Sequence, residues 1–159
     1  MKQSEYIFSK KKILIYGLGK SGVSAFKFLK DKAKLYLFDD KKKGNLYFNK
    51  KLITLSEISQ IKFDKIIISP GIDISNCKLS KFLKKNLSKI YTDLDVFYSF
   101  YYKNESIAIT GTNGKSTTAK ILHDALLNQN KDVRLVGNIG NPVLNERKIT
   151  KKTIFVIEI

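Results

Sequence analysis

Ile13-Leu14-Ile15-Tyr16-Gly17-Leu18-Gly19-Lys20-Ser21-Gly22 is the stretch whose reading decides how this chain folds. A short apolar, β-branched run suits a strand buried on both faces, and it breaks at a Gly-x-Gly-x-x-Gly turn. Val23, Phe26 and Leu29 then recur at helical spacing and predict a helix to about Lys30. In such a unit the first glycine allows a tight turn, the second lets a phosphate approach the backbone, and the third lets helix and strand pack closely. Free N–H groups and the helix dipole at that terminus favour an anion. Asp39 closes a second strand, Lys34–Phe38, where a carboxylate can meet a ribose or a base. A purely structural turn is the alternative, and these residues leave open which diphosphate-bearing nucleotide binds.

Working outward, the alternation of strand and helix continues. Ile53–Leu55 reads as a short third strand. Lys65–Ser69 reads as a fully buried strand stopped by Pro70-Gly71. Leu79, Phe82, Leu83 and Leu87 predict a helix, and Lys89–Tyr91 a last short strand. This pattern specifies an α/β fold, a Rossmann-like parallel sheet covered on both faces, over residues 1–100. A second α/β unit over residues 101–159 opens with the strand Ile107–Ile109 and a tight loop at Gly111–Gly114. A helix from Lys115 to about Gln129 follows, expected to turn Ile121, Leu122, Ala125 and Leu126 inward. Val133–Val136 and Thr153–Ile159 read as further strands. The chain stops inside the last of these without a covering element, so a continuation is expected.

The second unit carries the more specific signal, Ile109-Thr110-Gly111-Thr112-Asn113-Gly114-Lys115-Ser116-Thr117. A strand, a glycine loop, Gly-Lys-Ser and a helix are the physical recipe for holding a nucleoside triphosphate. Backbone N–H groups cradle the phosphates, Lys115 places a charge on the β/γ oxygens, and the Ser116 hydroxyl can bind Mg²⁺. Ile109 stands where the usual Gly-x-x-x-x-Gly-Lys loop has its first glycine, so this is a phosphate loop of a distinct type. The second unit is therefore expected to be the beginning of a P-loop ATP-binding α/β domain. A dehydrogenase needs only a loop like the first and an ordinary ATPase only one like the second; the two together indicate one bound nucleotide and one consumed.

Composition bounds the remaining classes. The 159 residues hold 43% hydrophobic side chains, enough for a packed core. No apolar run reaches the ~18 residues of a membrane span, and Met1–Lys12 has no signal-peptide core. Cys77 is the single cysteine, which excludes an internal disulfide and a cysteine-based zinc site. A soluble cytoplasmic chain is expected. Thirty Lys+Arg against 14 Asp+Glu give a net charge of +16. Nearly all of that charge is lysine, with Arg134 and Arg147 the exceptions. It is scattered over Lys10–Lys12, Lys41–Lys43, Lys50–Lys51, Lys84–Lys85 and Lys151–Lys152. Nucleic-acid recognition usually enlists arginine forks. The charge reads as a solvated surface in a chain with an A/T-rich codon bias, with neither a nucleic-acid nor a membrane partner expected.

Gly111-Thr-Asn-Gly-Lys-Ser-Thr117 resembles the ATP loop of the Mur ligases, the amino-acid-adding enzymes of peptidoglycan and cell-wall synthesis. The other motifs appear in the order of that family's D-glutamate-adding branch. They are Gly17–Gly22, Ser69-Pro-Gly-Ile72, Asp93-Leu-Asp-Val-Phe97, Gly137-Asn-Ile-Gly140 with Pro142, and Val156-Ile-Glu158. The resemblance covers the whole chain and about a third of a full-length ligase. It implies an ATP-dependent, Mg²⁺-requiring enzyme that joins D-glutamate to UDP-N-acetylmuramoyl-L-alanine through an acyl phosphate, expected as a monomer. A diaminopimelate- or lysine-adding ligase and folylpolyglutamate synthase carry related loops and compete with this reading. A non-catalytic nucleotide-binding module is the alternative if the chain ends at Ile159.

The resemblance also implies roles for individual residues. Gly19, Lys20 and Ser21 would meet the diphosphate of the UDP-sugar. Asp39, Asp40 and Lys41 would meet the uridine, with Ser69, Pro70 and Gly71 edging that site. Asn138 would reach the UDP-sugar. Gly111, Thr112, Asn113, Gly114, Lys115, Ser116 and Thr117 would hold ATP, with Ser116 and Glu158 as magnesium ligands and Lys115 and Glu158 as the catalytic pair. A further metal-binding histidine, a carbamylated lysine and the amino-acid domain would lie beyond Ile159. His123 reads as a surface or packing residue and Cys77 as structural. Phe97, Tyr98, Phe100, Tyr101 and Tyr102 read as a packing hinge between the units.

Overall fold

In the computed structural model, residues 7–41 and 51–159 are described. Lys42, Lys43 and Lys50 of the basic clusters, and the start of Met1–Lys12, lie outside those residues. The chain divides into two units, Met1–Phe100 and Tyr101–Ile159, each built on a parallel sheet.

The first unit runs β1 (Lys12–Tyr16), α1 (Lys20–Leu29), β2 (Lys34–Phe38), α2 (Leu55–Gln60), β3 (Lys65–Ile68), α3 (Ser80–Lys84), β4 (Ile90–Tyr91) and α4 (Asp93–Tyr101). Its strands lie in the order β2-β1-β3-β4, with Ile15 level with Leu37 on one side and Ile67 on the other. Ile13 to Tyr16 are all fully buried, as a central strand covered on both faces requires. On one face Leu14, Tyr16, Ile66 and Ile68 pack with Ile58, Phe63, Leu79 and Leu83. α1 lies against β1 and β3. Near the end of the unit, Phe97 and Phe100 are buried, and Phe100 meets the Phe28 ring edge-on at 4.9 Å. Tyr98 and Tyr102 of the same aromatic stretch are exposed.

The second unit runs β5 (Ser106–Ile109), α5 (Lys115–Asn128), β6 (Val133–Gly137) and β7 (Ile154–Glu158). The last strand lies in the middle, in the order β5-β7-β6. Its Phe155, Val156 and Ile157 are fully buried.

Three local expectations are corrected. Ile53–Leu55 is not a strand: Leu52 keeps one isolated bridge to Leu37, and Thr54 starts a helix. The Thr54 hydroxyl accepts from the Glu57 N–H, and the Glu57 carboxylate accepts from the Thr54 N–H at 2.7 Å. This reciprocal capping box outweighs the strand tendency of Ile53 and Thr54. The helix expected over Leu79–Leu87 is confined to Ser80–Lys84, because the Asn86 side chain donates to the Phe82 carbonyl at 2.9 Å. Leu87 is left exposed in a 3₁₀ turn. On α5, Ile121 is 65% exposed and Ala125 is also exposed. Leu122 and Leu126 do turn inward as expected, and Ala119 joins them against Val133 and Val156 in place of Ile121 and Ala125. That stripe has the same helical period, but its fully buried member is a small residue that hydrophobicity alone does not pick out.

Candidate functional site

The strand order decides where a ligand can enter the first unit. From β1 the chain moves to one side for β2 and then to the other for β3, so loops after β1 and β3 diverge. A cleft of about 380 Å³ opens at the carboxyl ends of these strands. Gly17 and Gly19 line it from the glycine turn and Asp39, Asp40 and Lys41 from the end of β2. Ser69, Gly71, Ile72, Asp73, Asn76 and Cys77 line it beyond β3. Lys20 and Ser21 form the first turn of α1, with Lys20 exposed, and Pro70 is exposed beside Gly71.

Gly22 shows why the turn has this sequence. A Cβ built on it would lie 1.8 Å from the Gly17 carbonyl oxygen, so only glycine lets α1 start this close to β1. The Ser69 hydroxyl donates to the same carbonyl at 2.9 Å, tying the β3 loop to the β1 loop. Asp39 holds the turn from the other side: one carboxylate oxygen accepts the Leu18 N–H at 2.6 Å and the other the Lys41 N–H at 2.9 Å. Asp40 takes the hydroxyl hydrogen bond of buried Tyr16 on Oδ2 at 2.8 Å, while its Oδ1 is buried with no hydrogen-bond partner. Burial first, then Asp40 and Cys77, pushes the Tyr16 phenol well above its ordinary value, so it stays a proton donor.

The structure adds Tyr16, Asp73, Asn76 and Cys77 to the residues named from sequence. Asp73 accepts from the Ser75 N–H and the Asn76 side chain, both at 2.8 Å, making a stiff wall. Its Asp-x-Ser-Asn spelling is the legible signal for such a turn. Cys77, read as structural, stands in the cleft wall.

Helix capping varies along the chain, and short α3 has no side-chain cap. α2 carries the full capping box, and α4 is capped by Thr92, whose hydroxyl accepts from the Asp95 N–H. The helices that follow the two glycine loops, α1 and α5, have no side-chain cap. Their first N–H groups are left for an anion.

In the second unit, Thr112, Asn113 and Gly114 are exposed between the end of β5 and the start of α5. Lys115 Nζ donates to the Gly111 carbonyl at 2.6 Å, folding its charge over the loop. Ser116 Oγ donates to Glu158 Oε1 at 3.0 Å. Glu158 ends β7 only 5% exposed, and its Oε2 is buried with no hydrogen-bond partner. A carboxylate so placed needs a cation. A hydroxyl and one carboxylate fit Mg²⁺, which uses few protein ligands and fills its shell with phosphate oxygens and water. Among the described residues no three His, Cys, Asp or Glu side chains gather as a larger cage. Gly137 (φ +110°) lies level with Glu158, and a Cβ on it would lie 2.2 Å from the Glu158 carbonyl oxygen. The Asn138 N–H donates to that carbonyl at 3.1 Å, placing exposed Asn138 at the same strand ends. His123 lies on α5 with Nδ1 3.1 Å from Asp124.

Among the described residues no helix is long and apolar enough to cross a membrane. Comparison with known proteins adds the family. Residues 11–90, just over half the chain, match the family described as Mur ligase MurD-like, N-terminal domain. Relatives named UDP-N-acetylmuramoylalanine–D-glutamate ligase include one from Rickettsia felis, 33% identical over 95% of this chain and 34% of its own length. Another, from Wolbachia of Brugia malayi, is 34% identical over 96% of this chain and 32% of its own. A third, from Caldicellulosiruptor saccharolyticus, is 32% identical over 94% and 36%. The chain spans about a third of the length of these relatives. The matched segment is the parallel-sheet unit whose glycine turn, Asp39 anchor and β3 loop enclose the cleft, and by that match the chain belongs to the Mur ligase family through its MurD-like N-terminal domain.

Proposed function

We propose that this chain is the UDP-sugar-binding domain and the opening of the ATP-binding domain of a ligase that joins D-glutamate to UDP-N-acetylmuramoyl-L-alanine. The observation that carries the reading is Glu158, a buried carboxylate with one oxygen on Ser116 and the other unpartnered, at the mouth of a glycine loop. A carboxylate does not form an amide with an amine in water unaided. ATP converts it to an acyl phosphate, and the amine of D-glutamate then displaces phosphate. The activation step brings two anions together, so the site must supply positive charge. Lys115 supplies it by exchanging the Gly111 carbonyl for phosphate oxygens, and the uncapped start of α5 adds its N–H groups. Ser116 and Glu158 would hold Mg²⁺, which neutralises triphosphate charge when bound.

In the first unit, Gly19, Lys20 and Ser21 at the uncapped start of α1 receive the diphosphate. Asp40 offers its unpaired Oδ1 to a donor on the uracil, and Asp39 and Lys41 complete that end of the cleft. Ser69, Pro70 and Gly71 form its edge. On this reading the protein serves cytoplasmic peptidoglycan precursor synthesis and works as a monomer.

The test is ADP release by the full-length enzyme, with UDP-N-acetylmuramoyl-L-alanine and D-glutamate each withheld in turn. Release that requires both, and that diaminopimelate, lysine or glutamate on a folate does not support, upholds the reading. Release with another acceptor moves the protein to a sister ligase.

A further inference from the structure

Tyr16 is a polar-tipped residue fixed in the core of the first unit. It ends β1 level with Phe38 on one side and Ile68 on the other, fully buried, with its ring 5.4 Å from that of Phe38. From this fixed point its hydroxyl donates to Asp40 Oδ2 at 2.8 Å. Asp40 is held from the far side as well: Lys78 Nζ, beyond β3, donates to its main-chain carbonyl at 3.0 Å. With its backbone and one carboxylate oxygen both tied, the side chain has little freedom left to turn. Its other oxygen, Oδ1, is buried with no hydrogen-bond partner, in a half-buried residue that lines the cleft. An unpaired buried acceptor is costly, and a donor carried into the cleft by a ligand would relieve that cost.

We propose that Tyr16 is a positioning residue that, by spending its proton on Asp40, makes this end of the cleft select a base with an N–H at its edge, uracil over cytosine. The proposal rests on the ligase reading above, which places a uridine nucleotide in this cleft. A phenol has one proton. Once that proton lies on Oδ2, the hydroxyl and the carboxylate have only acceptors left to offer a ligand. Burial first, and then Asp40 and Cys77, push the phenol well above its ordinary value, so the proton stays in place. Uracil N3 carries a hydrogen and donates to such an acceptor. Cytosine N3 presents a lone pair at the same position and is repelled. Discrimination of this kind is large because the wrong base leaves buried polar groups unpaired. Without the hydroxyl, Oδ2 is released and the carboxylate can turn away from that edge.

The experiment measures by calorimetry the binding of UDP, CDP and UDP methylated at N3 to the full-length enzyme. It compares wild type, Tyr16→Phe, Asp40→Asn and the double variant. Wild type should bind UDP about thirtyfold more tightly than either CDP or the methylated nucleotide. In Tyr16→Phe, which keeps the ring in the core, that preference should fall to about threefold, with the KM for ATP within about twofold of wild type. In Asp40→Asn, Tyr16 still holds the amide oxygen and so aims the amide NH2 where Oδ1 stood. That variant should favour CDP over UDP, and the double variant, whose amide is free to turn, should favour neither. A wild-type preference retained in Tyr16→Phe overturns the proposal. So does an Asp40→Asn enzyme that still prefers UDP, an arm that stands even if Tyr16→Phe does not fold. Equal binding of UDP and CDP by wild type overturns it too. A wild-type enzyme that binds neither UDP nor UDP-N-acetylmuramoyl-L-alanine overturns the ligase reading itself.

Discussion

Ser116 Oγ donates to Glu158 Oε1 across 3.0 Å, while the second oxygen of the same buried carboxylate has no hydrogen-bond partner. A hydroxyl at the start of a helix and a carboxylate at the end of a neighbouring parallel strand thus converge on one point. Glu158→Gln keeps the shape and the Ser116 contact but removes the charge. It should reduce turnover by at least an order of magnitude while leaving the thermal midpoint within a few degrees. Added Mg²⁺ should recover part of the rate, and calorimetry should show weaker Mg²⁺-dependent ATP binding. Normal turnover with unaltered magnesium dependence would reduce Glu158 to a strand end.

Lys115→Ala should abolish acyl-phosphate formation and leave UDP-sugar affinity within about twofold, because the charge lost stands over the Gly111 loop alone. Isotope exchange between ATP and ADP, set against calorimetry with the UDP-sugar, separates the two. Equal losses of both would point to a shared site or a folding defect.

Asp40→Asn tests the uracil end of the cleft. The Tyr16 hydroxyl can still donate to the amide oxygen, but the buried acceptor that has no hydrogen-bond partner becomes a donor. UDP affinity should fall tenfold or more, about the 1.5–3 kcal/mol of one charged hydrogen bond. Asp39→Ala should lose stability as well, since it frees the Leu18 N–H of the glycine turn. Unchanged UDP binding in Asp40→Asn would remove Asp40 from the site.

Gly22→Ala places a methyl against the Gly17 carbonyl and should lower the stability of the first unit by ~1–3 kcal/mol, the cost of overpacking. Nucleotide binding should weaken with it, because α1 must withdraw from β1. Urea unfolding and UDP titration read the two effects, and a fully stable, binding-competent variant would contradict the close approach.

Asp132 gives a pH signature. The Thr153 hydroxyl first, with Arg134 and Thr150 adding to it, holds its carboxyl below the ordinary carboxylate value. A depressed folded-state pKa contributes stability above the unfolded pKa of about 3.9, and that contribution fades as pH falls through the lower folded value. Thr153→Val removes the leading cause. The difference in urea midpoint between wild type and Thr153→Val should therefore be largest near pH 7 and narrow near pH 3. A difference independent of pH would assign the loss to packing.

The path from residues to fold was open wherever the signal was local and periodic. Ile13–Tyr16, Lys34–Phe38 and Lys65–Ile68 are apolar runs bounded by glycine, aspartate or proline, and central parallel strands need nothing more to be legible. The strand–loop–helix turn at Gly111–Thr117 was legible because it is written in consecutive residues. Ile53–Leu55 failed because a side-chain capping box at Thr54 and Glu57 overrode β-branching. On α5, Leu122 and Leu126 turn inward as expected, but Ile121 and Ala125 do not, because period alone does not say on which side of those two the buried stripe widens. Only the tertiary structure brought Ser116 to Glu158, 42 positions away. It likewise set Asp39 on the Leu18 backbone and left one Asp40 oxygen unpaired. Those relations depend on strand order and register, which bring distant residues level across a sheet. A linear pattern specifies which residues can form a strand, but the direction in which each crossover returns decides whose side chains share its end.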